Sequence, residues 1–276
     1  MTVNQRLGLN HHLFAQNRYG DKTAIDNVSG FVPGGALVAV MGKTGAGKTT
    51  LLSALADQIP IDSGHVLYDG KEITHDRVMK RSVGFVDQDD IFVGEMTIEN
   101  ALLEQALFRQ PDKELARRKV ARVLEGLKIS AQAKQKLSNV SGGQRKRFCI
   151  ARELIGDPDV LFLDESTSGL DSAIAKLLVQ ELRELVDTQK TTVLMSIQQP
   201  SEVIYNMFDL VIIIDDGKIY YYGPPRKALQ HFQRFSNAAF KFDDDVPTFL
   251  MEVINKNLFE RDGAHVTTEM AMEPAV

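Results

Sequence analysis

Residues 42–49 read Gly-Lys-Thr-Gly-Ala-Gly-Lys-Thr, the spacing G-x-x-x-x-G-K-T, and no other stretch constrains the fold as much. The apolar run Ala36-Leu37-Val38-Ala39-Val40-Met41 precedes it and reads as a strand. The run Thr50-Leu51-Leu52-Ser53-Ala54-Leu55-Ala56 follows and reads as a helix. Strand, glycine-rich loop and helix in that order make a phosphate-binding loop. Glycines let the backbone curl with its N–H groups inward, and the positive end of the helix adds to the attraction for a triphosphate. Lys48 would reach the β- and γ-phosphates, and the Thr49 hydroxyl would ligate Mg²⁺. The loop residues Gly42, Lys43, Thr44, Gly45, Ala46, Gly47, Lys48, Thr49 and Thr50 are therefore candidates for a nucleotide site.

Composition narrows the class of protein around that loop. The chain has 276 residues, enough for one large domain with a sizeable core. Hydrophobic residues make up 43% and charged residues 25%, an ordinary globular balance. A net charge of −5 argues against nucleic acid as a partner. The single cysteine, Cys149, cannot form an internal disulfide, so a reducing compartment is expected. The N-terminus has no signal-peptide core, and no apolar run is long enough to span a membrane. A soluble, cytosolic chain is the expectation.

Tyr19 lies ahead of the phosphate loop and is a candidate to stack under an adenine, with Phe14 as the runner-up; a half-buried loop tyrosine is the equally simple alternative. Val83-Gly84-Phe85-Val86-Asp87 predicts a buried strand with Gln88 just beyond it. Helical patterns run from Thr97 to Ile129, with Leu115, Val120, Val123, Leu124 and Leu127 marking the apolar face of the second helix. The sheet resumes at Val160-Leu161-Phe162-Leu163, an uninterrupted apolar strand suited to a parallel sheet covered on both faces. A helix from about Ser172 to Val186 places Ile174, Leu177, Leu178, Leu182 and Leu185 on one side. Strands at 191–197 and 210–214 follow, and Asp215-Asp216-Gly217-Lys218 predicts a hairpin into a last strand.

Ligands of open α/β sheets sit at the carboxyl ends of the strands. Asp164 and Glu165 stand at such an end, where Asp164 would hold Mg²⁺ through its hydration shell. Glu165 is placed to orient or deprotonate an attacking water. Ser141-Gly142-Gly143-Gln144 opens a further helix. Its Ser and Gln satisfy a capping box, but successive glycines in a first turn suggest close approach to something, and a helix N-terminus attracts anions. Arg145, Lys146 and Arg147 read as a solvated helix face.

Residues 137–147, Leu137-Ser138-Asn139-Val140-Ser141-Gly142-Gly143-Gln144-Arg145-Lys146-Arg147, resemble the signature motif of ATP-binding-cassette (ABC) proteins. Gln88 as the Q-loop, Asp164 and Glu165 as the Walker B pair, and Ser168-Gly169-Leu170-Asp171 as the D-loop fall in the family's order. Met96-Thr97-Ile98-Glu99-Asn100, Thr167-Ser168-Gly169-Leu170-Asp171-Ser172 and Tyr221-Tyr222-Gly223-Pro224 are similar to wording of the ABCG subfamily.

The resemblance implies a P-loop NTPase of the α/β class: a RecA-like core on a mainly parallel sheet, an antiparallel β-subdomain and an inserted helical subdomain at about 95–155. Residues 1–255 would form one nucleotide-binding domain, with 256–276 a flexible tail. It implies ATP and Mg²⁺ as ligands, with Thr49, Gln88 and Asp164 around the metal. It also implies a second cassette, in a homo- or heterodimer, closing head to tail so that Ser141, Gly142, Gly143 and Gln144 reach the partner's nucleotide, with Asp171 at the same junction. A transmembrane domain absent from this sequence would be the other partner. The chain would then sit at the cytoplasmic side of a membrane, either as part of a longer protein or as a separate subunit. Two departures stand out: Ser166 replaces the usual proline, and Gln198 replaces the switch histidine. The latter predicts slow hydrolysis and leaves open a regulatory cassette with little turnover. A non-transport ABC ATPase is the remaining alternative.

Overall fold

The structure, a computed structural model, describes residues 6–10, 24–26, 28–72, 82–88, 94–235, 245–256 and 258. The phosphate loop follows β3 (Leu37–Met41), which is buried along its whole length. β3 lies in a sheet of six strands with β6 (Val83–Val86), β7 (Val160–Leu163), β8 (Thr192–Ile197), β9 (Leu210–Asp215) and β10 (Lys218–Gly223). Their order is β10-β9-β3-β8-β7-β6, parallel except for β10, which returns beside β9 as the hairpin its turn residues predict. A second sheet, of order β2-β1-β4-β5, is antiparallel and consists of β1 (Arg6–Asn10), β2 (Gly30–Pro33), β4 (His65–Tyr68) and β5 (Lys71–Glu72).

Side chains alternate across a strand, so a sheet covered on both faces needs apolar residues at successive positions. The central sheet divides its residues in this way. Val38, Val40, Phe162, Leu194, Ile212 and Ile214 face one core, shared with Val32, Val66 and helix α1 (Lys48–Leu55). Leu37, Ala39, Met41, Leu161, Leu163, Met195 and Ile213 face the other. That second core is closed by α2 (Ile98–Arg109), α3 (Lys113–Gly126), α4 (Gly142–Leu154) and α5 (Ser172–Gln189). Next come α6 (Glu202–Tyr205), α7 (Pro225–Phe235) and α8 (Val246–Asn255).

Several helices begin where the sequence offers a capping side chain. Thr97 accepts from the N–H of Asn100 at the start of α2, and Asp112 accepts from Glu114 and Leu115 at the start of α3. Two leucines assigned to buried faces are exposed. Leu115 and Leu177 are each 47% accessible. Each stands one residue before a buried position of its helix, Ala116 in α3 and Leu178 in α5. One residue of an α-helix turns the side chain by about 100°, enough to carry it off the face. Among the described residues no helix is long and apolar enough to cross a membrane.

Candidate functional site

The loop's shape depends on what a side chain would hit. Gly47, the N-cap of α1, has φ +105°, and a Cβ there would lie 2.7 Å from the carbonyl oxygen of Ala24. Both facts restrict the position to glycine. The surrounding wall comes from distant segments. Gly217 in the β9–β10 turn donates its N–H to Ala46 O at 3.0 Å, and its own carbonyl accepts from Asp26 N–H at 2.8 Å. Within this frame lies a cleft of about 400 Å³, lined in part by Thr44, Gly45, Gly47, Lys48, Thr49, Thr50, Gln88, Glu165 and Gln198. Ala24, with Asp216 and Gly217 of the predicted hairpin turn, completes the described lining, and none of the three was a site candidate from the sequence.

Lys48 is buried, and its Nζ donates to the loop carbonyls of Gly42 at 2.9 Å and Lys43 at 3.1 Å. It lies 3.7 Å from Glu165 Oε1. Burial lowers the pKa of its ammonium, and the nearby charges of Glu165 and Asp164 oppose that shift. The other loop lysine turns away. Lys43 Nζ pairs with Asp215 Oδ2 at 2.9 Å, so its side chain braces the loop against β9 and is not part of the cleft lining.

β8 lies between β3 and β7, and this order places a serine between the loop and the acids. Asp164 Oδ2 accepts from Thr49 Oγ1 at 2.7 Å, and Oδ1 accepts from Ser196 Oγ at 2.6 Å. Ser196 Oγ in turn accepts from Glu165 N–H at 2.7 Å. Ser196 thus fixes both acids from a fully buried position. Only its place two residues before Gln198 hinted at this. Glu165 adopts φ +43°, unusual for a side-chain-bearing residue and a feature that gathers at functional sites. Its Oε1 accepts from Gln198 Nε2 at 2.8 Å.

Next to it, Ser166 is fully buried, and its hydroxyl has no hydrogen-bond partner among the described residues. An unsatisfied buried hydroxyl is a net loss, which the family's proline would not bring. Ser166→Ala is expected to stabilise the chain by about 1 kcal/mol, or about 2 °C in melting temperature. Thermal denaturation checks this, and a lowered midpoint would mean that the hydroxyl is satisfied.

The remaining candidates lie apart from this cleft. Ser141 caps α4 with Gln144 in a reciprocal capping box, and Ser141 and Gly142 are exposed. Gly143 is held within its own chain, since a Cβ would lie 2.8 Å from Ile174 Cγ2. Around Gly142 the nearest atom, of Leu170, is 4.0 Å from such a Cβ, which leaves that backbone open to approach. Asp171 is the N-cap of α5, its Oδ1 accepting from Ala173 and Ile174 N–H. The basic run of α4 is not a solvated face. Lys146 is 7% exposed and donates to Gln88 O at 2.6 Å, while Arg147 pairs with the buried Glu181 at 2.7 Å. Tyr19 and Phe14 lie outside the described residues, as does most of the tail at 256–276.

Thr49, Gln88 and Asp164 offer hydroxyl, amide and carboxylate oxygens, the donor chemistry Mg²⁺ takes when water and phosphate fill most of its positions. Among the described residues no group of three or more His, Cys, Asp and Glu is arranged to hold a metal unaided. A glycine loop at the end of β3, with acids at the end of β7, defines a P-loop nucleotide-binding domain. The ABC transporter family profile matches residues 25–168, and the chain belongs to that family.

Protein white of Drosophila melanogaster is 37% identical over 225 residues, covering 76% of this chain and 32% of its own length. ABC transporter G family member 24 of Dictyostelium discoideum is 37% identical over 224 residues, covering 76% and 19%. ABC transporter G family member 25 of Arabidopsis thaliana is 36% identical over 249 residues, covering 85% and 37%. The chain thus spans about a fifth to two fifths of these relatives. Among solved structures, cbiO1 of Clostridium perfringens, part of the ABC transporter complex cbiONQ, superposes with a TM-score of 0.74 at 25% identity, over 81% of this chain and 91% of its own. A nucleotide-free ATP-binding cassette from an ABC transporter shares the fold, with a TM-score of 0.65 at 23% identity over 79% and 91%. The chain is an ABCG-like nucleotide-binding domain.

Proposed function

We propose that this domain is the ATP-hydrolysing motor of an ABCG-like membrane transporter and works by closing head to tail with a second cassette on Mg-ATP. The observation that carries this reading is the separation of the site into two parts. The phosphate loop, the acids and Gln198 share one cleft, while Ser141 and Gly142 lie elsewhere, exposed, with an open backbone. A second cassette, identical or related, would bring its own Ser141–Gly143 segment to the cleft.

Within the cleft, the loop N–H groups and Lys48 would bind the phosphates. Thr49, Gln88 and Asp164 would hold Mg²⁺, with Asp164 acting through water. The metal, when bound, neutralises phosphate charge and fixes the phosphate oxygens. Glu165 would accept a proton from the attacking water, and Gln198 would hold the Glu165 carboxylate in place. Ser196 would keep both acids at their stations. Tyr19 would stack on the adenine. Residues 1–255 would act as one domain, with the helical part at about 95–155 inserted in the core. Closure and reopening would then move a membrane domain, with the cassette on the cytoplasmic side.

Light scattering on Glu165→Gln tests the reading. With hydrolysis blocked, the chain is expected to be monomeric without nucleotide and dimeric with Mg-ATP. A chain that stays monomeric at high concentration and saturating Mg-ATP would refute self-closure and favour a different partner cassette. A second reading, a cassette that closes without turning ATP over, is favoured by one observation: the switch position carries Gln198, bonded to Glu165.

A further inference from the structure

We propose that Lys146 is a positioning residue that ties the exposed cap of α4 to the Gln88 of its own cleft, so that seating the cap on a second cassette is felt at the first cassette's site. The inference rests on the head-to-tail reading above. Lys146 is 7% exposed, yet it donates to a neutral carbonyl, Gln88 O, at 2.6 Å. Gln88 stands two residues beyond β6 and lines the cleft. A buried ammonium that spends a hydrogen bond on a backbone carbonyl fixes the position of that peptide, and with it the direction of the Gln88 side chain.

The same turn of α4 is clamped elsewhere. Gly143 packs against Ile174, and Arg147 pairs with Glu181, both on α5. Residues 143, 146 and 147 are spaced three and four apart, so they share one face of the helix. Ser141 and Gly142 stand at the exposed end of the same helix. Lys146 lies in the first two turns of α4, close to the cap, so a force on the cap would displace Lys146 and, through it, Gln88. The two nucleotide sites of a dimer would thus be coupled through α4 of each cassette.

The test is a double-mutant cycle on the full chain, read by ATPase rate against ATP concentration. Lys146→Met is expected to lower kcat by about tenfold or more, with little change in KM, and to bring the Hill coefficient toward one. Lys146→Arg, which restores a cationic donor, should recover most of the rate. Adding Lys146→Met to Gln88→Ala should cost nothing further, because the relay then has no terminus. If Lys146→Met does not fold, Lys146→Gln, a shorter donor, takes its place in the cycle. Losses that multiply independently, or an unchanged kcat and Hill coefficient in a folded variant, would overturn the relay. A Glu165→Gln chain that fails to dimerise removes the relay between copies of this chain along with self-closure. One that dimerises, while Lys146→Met leaves kcat and the Hill coefficient unchanged, overturns the relay and leaves the head-to-tail reading standing.

Discussion

Gln198→His is expected to raise kcat by about a hundred- to a thousandfold while leaving KM for ATP near that of the parent chain. Gln198 is the first exposed residue after the buried strand β8, and its amide donates to Glu165 Oε1 at 2.8 Å. Glutamine can thus steady Glu165, the proposed general base, but it has more rotamer freedom than imidazole and cannot carry a charge near neutral pH. A donor aimed at charge that develops only in the transition state contributes about 2.7–4 kcal/mol, which sets the size of the gain. The effect is expected on kcat because, in the proposed site, ground-state contacts to the phosphates would come from the loop and Lys48. A second signature is available: the histidine variant should acquire a titration between about pH 5 and 8 that the parent lacks. A parent that is already fast, with Gln198→His neutral or slower, would assign the switch role to another residue.

Lys48→Met should abolish turnover and weaken ATP binding by about 10- to 150-fold, the loss of one strong charge-assisted hydrogen bond. Titration calorimetry reads the affinity, and thermal denaturation in the absence of nucleotide reads the fold. The nucleotide-free chain is expected to remain folded. Lys48 donates to two loop carbonyls, but its ammonium is buried at a disadvantage, with its pKa held below 10.5 by that burial. The folded chain therefore binds fewer protons than the unfolded chain between the lowered pKa and 10.5. On that account the parent gains stability as pH rises through this window, and the Met variant should show no such gain from this position. Unchanged ATP affinity in a folded variant would remove Lys48 from the site.

What could be read from the sequence was whatever is written locally. The phosphate loop declares itself because its glycines, lysine and threonine are contiguous, and β3 and β7 because a strand buried on both faces is apolar at every position. Ser196 escaped because its importance comes from sheet order: only β8 lying between β3 and β7 puts its hydroxyl between Thr49's partner and Glu165. The basic run of α4 was misread for a related reason. A charge run looks solvated until tertiary partners appear, and those of Lys146 and Arg147 lie 58 and 34 residues away. Leu115 and Leu177 show the narrower limit, that a helical stripe read by eye can absorb a neighbour about 100° off its face.

The wall around Gly47 carries a consequence for how the protein is made. The loop is complete in the first fifth of the chain, but its outer boundary is the turn at Gly217, which also holds the segment at Asp26. During synthesis the glycine loop therefore emerges long before the hairpin that encloses it. A fragment ending before residue 217 lacks this part of the cleft wall and is expected to bind ATP more weakly than the whole domain. On that account nucleotide affinity would rise late in synthesis, when the strand-to-strand turn reaches the loop.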